Sequence, residues 1–296
     1  VSLRRDQRLL LYKVSALLAL VRWYNIFFLA LAQYLAVLFI LRDPEHWPTV
    51  LLQAPLHAIV FASLFSVAAG YIINAFYDRE KDLINRPRKA AFERLLETST
   101  TWQFYFLFNI TALLLAGSVS FNVMLFFAAF QFSLWLYSHK LKRITLLGNI
   151  MAALLSITPF FALFLYYHLQ DSLILIYVCF ILLLILIREV IKDLEALRGD
   201  AIIGYPTVPV RWGVVGAKRL IAGLVVVGAI PAVALFIITG FSGISYYLAA
   251  GGLGVMTSLL QLWRADSQQD FRRLNNLYRA LIIVGIFSLI LLGISH

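Results

Sequence analysis

Charged residues are scarce in this chain, and acids are the scarcer kind: 15 Asp and Glu stand against 25 Lys and Arg in 296 residues, and the four types together make up only 14%. With 62% hydrophobic residues and a mean hydropathy of +0.86, that scarcity excludes a water-soluble globular protein and implies an integral membrane protein. Cysteine is nearly absent. The single Cys179 lies inside an apolar run, which excludes an internal disulfide and a cysteine metal centre and reads as a small buried thiol. Among the 5 histidines none has a second at metal-ligand spacing, so His57 and His139 read as structural. The apolar runs lack period-two alternation, which disfavours a membrane β-barrel.

Long apolar runs dominate what is present. An irregular backbone cannot survive in lipid with its polar groups unsatisfied, so runs of about twenty apolar residues are expected to be helices. Nine candidate spans follow, at roughly 16–41, 50–77, 100–118, 120–138, 144–167, 171–192, 217–240, 243–263 and 276–295. The breaks carry turn chemistry: Asp43-Pro44 and Trp47-Pro48, Gly117, Asp171 as an N-cap, and Gly240-Phe241-Ser242-Gly243. The basic start followed by Ala30-Leu31-Ala32 imitates a cleaved leader, but the run continues to Leu41 and carries Arg22 and Asn25, as expected of a span.

The net charge of +10 is sorted by loop, and no nucleic-acid-binding module accompanies it. With the amino terminus cytoplasmic, the even-numbered loops hold the basic residues from Arg79 to Arg94, then Lys140 to Arg143, Lys192 to Arg219 and Arg264 to Arg279, while the other side holds Arg42. This is the positive-inside pattern, and it places the carboxyl terminus on the far side of a cell (inner) membrane. The two long loops, about 78–99 and 193–216, then share the cytoplasmic side.

Each of these loops opens on acids. Asn74, Asp78 and Asp82 are spaced by four, so on a continuing helix their oxygens project at successive turns. Two carboxylates and an amide make a half-site for a hard cation, and magnesium is commonly completed by waters and substrate phosphates. A solvated helix end, with the acids paired to Arg79, Lys81 or Arg86, is the other reading. The second acidic stretch, Arg188 to Asp200, leaves the sixth span in the same way, and Asp193 and Asp200, two turns apart, share a face if the helix persists.

Together these residues resemble the UbiA superfamily of intramembrane polyprenyl transferases. The family's first signature, Asn-Asp-x-x-Asp-x-x-x-Asp, matches at Asn74, Asp78 and Asp82 and is followed by Asn85-Arg86-Pro87-Arg88. Arg22-Trp23-Tyr24-Asn25 is similar to the family's Arg-Pro-x-Asn, and Tyr137 to Arg143 with Gly148-Asn149 is similar to its fourth-to-fifth loop. Gly199-Asp200, Gly204 and Thr207 to Val210 resemble the branch that alkylates geranylgeranylglyceryl phosphate for ether lipids.

The resemblance implies an all-α membrane protein of nine transmembrane helices around a central cavity open to the cytoplasm. It implies one domain over 1–296, with loops 74–99 and 188–216 as a cytoplasmic cap. It further implies magnesium-dependent transfer of a polyprenyl group, such as geranylgeranyl, from its diphosphate to a lipophilic glycerol-phosphate acceptor, with no obligate protein partner. Asp78, Asp82 and Asp200 would be catalytic; Asn74, Asp78, Asp82, Asp193 and Asp200 would hold metal. Arg22, Asn25, Arg86, Arg88, Tyr137, Lys142, Asn149 and Lys192 would contact substrate. The departures are Ala75 and Trp23 in the first signatures and Ala196 where the second carries an Asp, so that Asp193 or Glu195 would have to complete that site. An aromatic prenyltransferase of quinone synthesis, and a non-catalytic lipid-binding or transport relic, remain as alternative readings of the sequence.

Overall fold

The computed structural model describes residues 5–39, 47–85, 87–167 and 172–294. The described residues are helices joined by short turns, in the order α1 (Arg5–Leu20), α2 (Trp23–Phe39), α3 (Trp47–Leu51), α4 (Ala54–Tyr77), α5 (Arg79–Asn85), α6 (Pro87–Glu93), α7 (Thr98–Val119) and α8 (Phe121–His139). A 3-10 turn at Leu141–Arg143 precedes α9 (Leu147–Tyr167), α10 (Ser172–Ile203), α11 (Val208–Thr239), α12 (Gly243–Arg264) and α13 (Gln268–Ile294). Among them 8 are long and apolar enough to cross a membrane, and the bent pair α1–α2 makes a ninth if it counts as one span. The chain is thus the multi-pass membrane protein that its hydropathy predicts.

The helices fall into two compact units, one within Val1–Ala30 and Ala54–His139, the other within Leu31–Gln53 and Lys140–His296. In the first, α4 packs on α7 and α8, and α1 packs on α4 and α6. Half of the buried residues of α4 are small, Ala62, Ser63, Ser66, Ala68 and Ala69, and these let helices approach closely where lipid supplies no hydrophobic drive. Gln131 reinforces the contact, its Nε2 donating to Ser66 Oγ at 3.1 Å and to the Asn109 carbonyl at 3.2 Å.

In the second unit α10 packs on α9, α11 and α13, and α12 packs on α11 and α13. Tyr177, Ile187, Ile191, Leu194, Ile221 and Tyr278 are central to its core. Polar pins again cross it: Tyr177 donates to the Gly285 carbonyl at 2.6 Å, and the buried Lys218 ammonium donates to the Ala265 carbonyl at 2.7 Å, at the negative end of α12.

Five sequence expectations change. The stretch 78–99 is not a loop: it is mostly helix, made of α5, α6 and the start of α7. The first span is broken at Val21-Arg22, where α1 and α2 meet at 55° and Arg22 takes φ 52°. Arg22 is therefore at an elbow and not inside a continuous helix. The stretch 193–216 is mostly helix and not a loop: the apolar stripe of α10 continues through Ile187, Val190, Ile191 and Leu194, all buried. Gly117 lies within α7, which ends at Ser120, because glycine inside a packed span is tolerated. Cys179 is exposed and not buried, since Tyr177 and Phe180 take the core face of α10. The Gly240 break stands as expected, with φ 61° at Gly240 and a capping box of Ser242 with Ser245 opening α12. Asp43, Pro44 and Asp171 lie outside the described residues.

Candidate active site

The first acidic motif straddles the join of α4 and α5, and the join does not interrupt the helical path. Asp78 N donates to the Asn74 carbonyl at 2.9 Å and Asp82 N to the Asp78 carbonyl at 2.8 Å. Asn74, Asp78 and Asp82 therefore rise by about 6 Å per step, each rotated by about 40° from the last. Asn74 Nδ2 donates to Asp78 Oδ2 at 2.9 Å, which fixes the amide's orientation and leaves its carbonyl oxygen as the atom of ligand type. All three side chains are half-buried. The accumulated rotation brings Asp82 to the side of the helix that carries Ala75, Phe76 and Arg79, where it lines a pocket with them.

Arg22 and Asn25 converge on one residue of α4. The Arg22 guanidinium carbon lies 4.9 Å from the centre of the Tyr71 ring, and Asn25 Nδ2 donates to Tyr71 Oη at 3.0 Å. Left-handed backbone at a non-glycine costs about 1 to 3 kcal/mol, and a cation over a partly desolvated aromatic face offsets a comparable amount. Tyr71 had no signal in the sequence beyond being one of 14 tyrosines. Tyr137 is half-buried on α8. Arg86 lies outside the described residues, as does the side chain of Arg88, whose backbone belongs to α6.

The second motif lies on α10, whose helix persists through it. Asp193 and Asp200 share a face about 10 Å apart along the axis, with Ala196 between them. Asp193 accepts from Asn149 Nδ2 at 2.8 Å, joining two of the predicted site residues. Asp200 is fully buried at the end of α10, where Gly204, with φ 73°, closes a Schellman turn. In that turn Tyr205 N donates to the Asp200 carbonyl at 2.8 Å and Gly204 N to the Ala201 carbonyl at 3.3 Å. The resemblance at Gly204 thus marks a helix terminator that positions Asp200.

Glu195 is committed elsewhere. Its carboxylate accepts from Asn275 Nδ2 at 2.7 Å and Arg272 Nε at 3.2 Å, and its carbonyl from Gln268 Nε2 at 3.0 Å. It clamps α10 to α13, on the side away from Asp193. Lys192 pairs with Glu189, which also takes Arg188 at 3.6 Å. Lys142 is half-buried in the turn before α9. That turn approaches α9 so closely that a Cβ on Gly148 would stand 2.9 Å from the Lys142 carbonyl oxygen. The same turn is tied to the segment after α10 by a hydrogen bond from Thr145 Oγ1 to the Pro206 carbonyl and by Arg143 over the Tyr205 ring at 5.3 Å.

Among the described residues no three His, Cys, Asp or Glu side chains gather at one point. The candidate ligands are sparse, hard oxygens braced by neighbouring amides, Asp78 by Asn74 and Asp193 by Asn149. That donor set fits magnesium, which binds one or two carboxylates and takes the rest of its shell from water and phosphate.

Comparison with known proteins decides the family. The UbiA prenyltransferase family model matches residues 30–282. The chain belongs to this family. Among relatives of the UbiA chain, digeranylgeranylglyceryl phosphate synthase of Thermococcus sibiricus is 24% identical over 84% of this chain and 88% of its own length. The synthase of the same name from Methanosarcina mazei is 30% identical over 69% of this chain and 72% of its own. A solved UbiA homolog from Archaeoglobus fulgidus, bound to GPP and Mg2+, superposes with a TM-score of 0.67 at 16% identity, covering 93% of this chain and 99% of that one. The likeness in fold therefore extends over nearly the whole length of both UbiA chains.

Proposed function

We propose that this UbiA-family chain transfers a polyprenyl group from an allylic polyprenyl diphosphate to the hydroxyl of a glycerol-phosphate ether-lipid precursor, releasing diphosphate. The observation that carries the proposal is the braced stripe of Asn74, Asp78 and Asp82 on an unbroken helical path. Relatives named for the same reaction, and a homolog bound to GPP and Mg2+, support it.

In this reading the allylic carbon–oxygen bond to diphosphate breaks with its electron pair on the leaving group. A new carbon–oxygen bond forms to the acceptor, whose hydroxyl proton passes to water or to the released diphosphate. Asn74, Asp78 and Asp82 would hold one magnesium, and Asp193 with Asp200 a second; bound there, the ions neutralise charge developing on the leaving group. Asn74 and Asn149 hold the carboxylates of Asp78 and Asp193 in place. With Glu195 engaged by α13, Asp193 is the acid that makes up for Ala196. Arg22, Asn25, Arg86, Arg88, Tyr137, Lys142 and Lys192 are the candidate contacts for the substrates' polar ends, with Arg22 set by Tyr71.

The same reading makes 74–99 and 188–216 a cytoplasmic cap over a single transferase formed by 1–296. It sets the amino terminus in the cytoplasm of a cell with the chain in its inner membrane. The test is a magnesium titration of diphosphate release by purified protein given geranylgeranyl diphosphate and geranylgeranylglyceryl phosphate. Asp78→Ala should abolish release, while activity untouched by that change would remove the basis of the proposal.

A further inference from the structure

The pocket that Asp82 lines has no assigned role. It lies wholly within the first unit, between the end of α1, the end of α4, the segment after α6 and the first turn of α7. Among the described residues its charged lining is two arginines and one acid, Arg79, Arg94 and Asp82, and both arginines are exposed at its edge. Beneath them the floor is apolar. Phe76 and Trp102 meet there edge to face with ring centroids 5.0 Å apart, and Leu20 and Ile72 are buried below.

This is a lining for an amphiphile with an anionic head. Guanidinium groups take phosphate oxygens in a planar, bidentate manner, and the aromatic wall accepts an apolar body. Asp82 belongs both to this lining and to the proposed cation stripe, so an occupant's head would stand beside the place where diphosphate is bound. An acceptor whose phosphate is a few bonds from its attacking hydroxyl has the dimensions for that arrangement.

We propose that this pocket binds the phosphate monoester of the acceptor lipid, with Arg94 and Arg79 as its phosphate contacts. Arg94 lies outside every motif on which the family resemblance rests, and Arg79 stands at an unspecified position of the first signature. The inference depends on the function proposed above in that both require a phosphate-bearing acceptor. The prenyl diphosphate donor shares the pocket's chemistry, and kinetics separate the two.

The experiment measures KM for three compounds in nanodiscs: geranylgeranylglyceryl phosphate, the same lipid without its phosphate, and geranylgeranyl diphosphate. Arg94→Gln should raise KM for the phosphate acceptor by roughly 10- to 100-fold, the range set by one charge-assisted hydrogen bond. The other two constants should change less than about twofold, and Arg94→Lys should restore part of the loss. An equal rise for both acceptors would make Arg94 structural, and a rise confined to the diphosphate would give the pocket to the donor; either result overturns the proposal. Repeating the series with phosphatidylglycerol in place of phosphatidylcholine, and with added inorganic phosphate, separates the sources of phosphate. If anionic lipid altered turnover of both acceptors alike through Arg94, or if inorganic phosphate alone saturated the site, the acceptor assignment would fall. If wild type prenylated only acceptors lacking phosphate, the proposed function would fail with it. Failure confined to the Arg94 variants leaves that function standing.

Discussion

Two acids, Asp78 and Glu195, have different partners, and the partners set what the loss of each should do. Asp78 is half-buried and braced by the Asn74 amide, so Asp78→Ala is expected to lower turnover on the order of 100-fold or more, as loss of a group that stabilises developing charge does. Asn74→Ala should chiefly raise the magnesium concentration needed for half activity, by roughly 10- to 100-fold, read from a metal titration. Glu195 is buried and held by Asn275 and Arg272. Glu195→Ala is therefore expected to cost about 1 to 3 kcal/mol of stability, measured as a lower Tm in detergent, with the magnesium requirement unchanged. From sequence alone Glu195 stood as a substitute for Asp193 in completing the second site, because its partners lie 77 and 80 residues downstream on another helix. The spacing of Asn74, Asp78 and Asp82, by contrast, was legible because helix periodicity is local. The partnership of Arg22 with Tyr71 was not, since nothing in either segment names the other.

At the scale of the element, hydropathy located the spans but not the places where helices stop. Nothing in the sequence marks the elbow at Val21-Arg22, which has neither glycine nor proline; the backbone turns there with Arg22 placed over an aromatic ring on α4. The continuation of α10 beyond residue 192 was missed, because the charges from Asp193 onward read as a loop, although the apolar stripe runs on through Leu194. Two glycines have definite structural work. Gly204 takes φ 73° to end α10 beside Asp200, and Gly148 admits the Lys142 backbone. Gly148→Ala must push that backbone aside, with an expected loss of about 1 to 3 kcal/mol and a parallel fall in activity, because Asn149 braces Asp193. A Tm and turnover both equal to wild type would show that the turn yields freely.

At the scale of the molecule, the proposed orientation rests on the sorting of basic residues. With Cys179 replaced by Ser, a cysteine placed at exposed Glu80 should react with an impermeant thiol reagent only in inside-out vesicles. One placed at Phe241, which is 97% exposed, should react only in right-side-out vesicles. The family and its helical architecture were legible in the motifs, whereas the acceptor rests on branch resemblance and on relatives' names. The most direct test is therefore the product itself. Purified protein supplied with geranylgeranyl diphosphate, magnesium, and either geranylgeranylglyceryl phosphate or an aromatic quinone precursor is analysed by mass spectrometry. One geranylgeranyl group should be added to the glyceryl phosphate, and the product should be lost on chelating magnesium and in Asp78→Ala; prenylation of the aromatic acceptor alone, or no prenylated product from either, would contradict the proposed function.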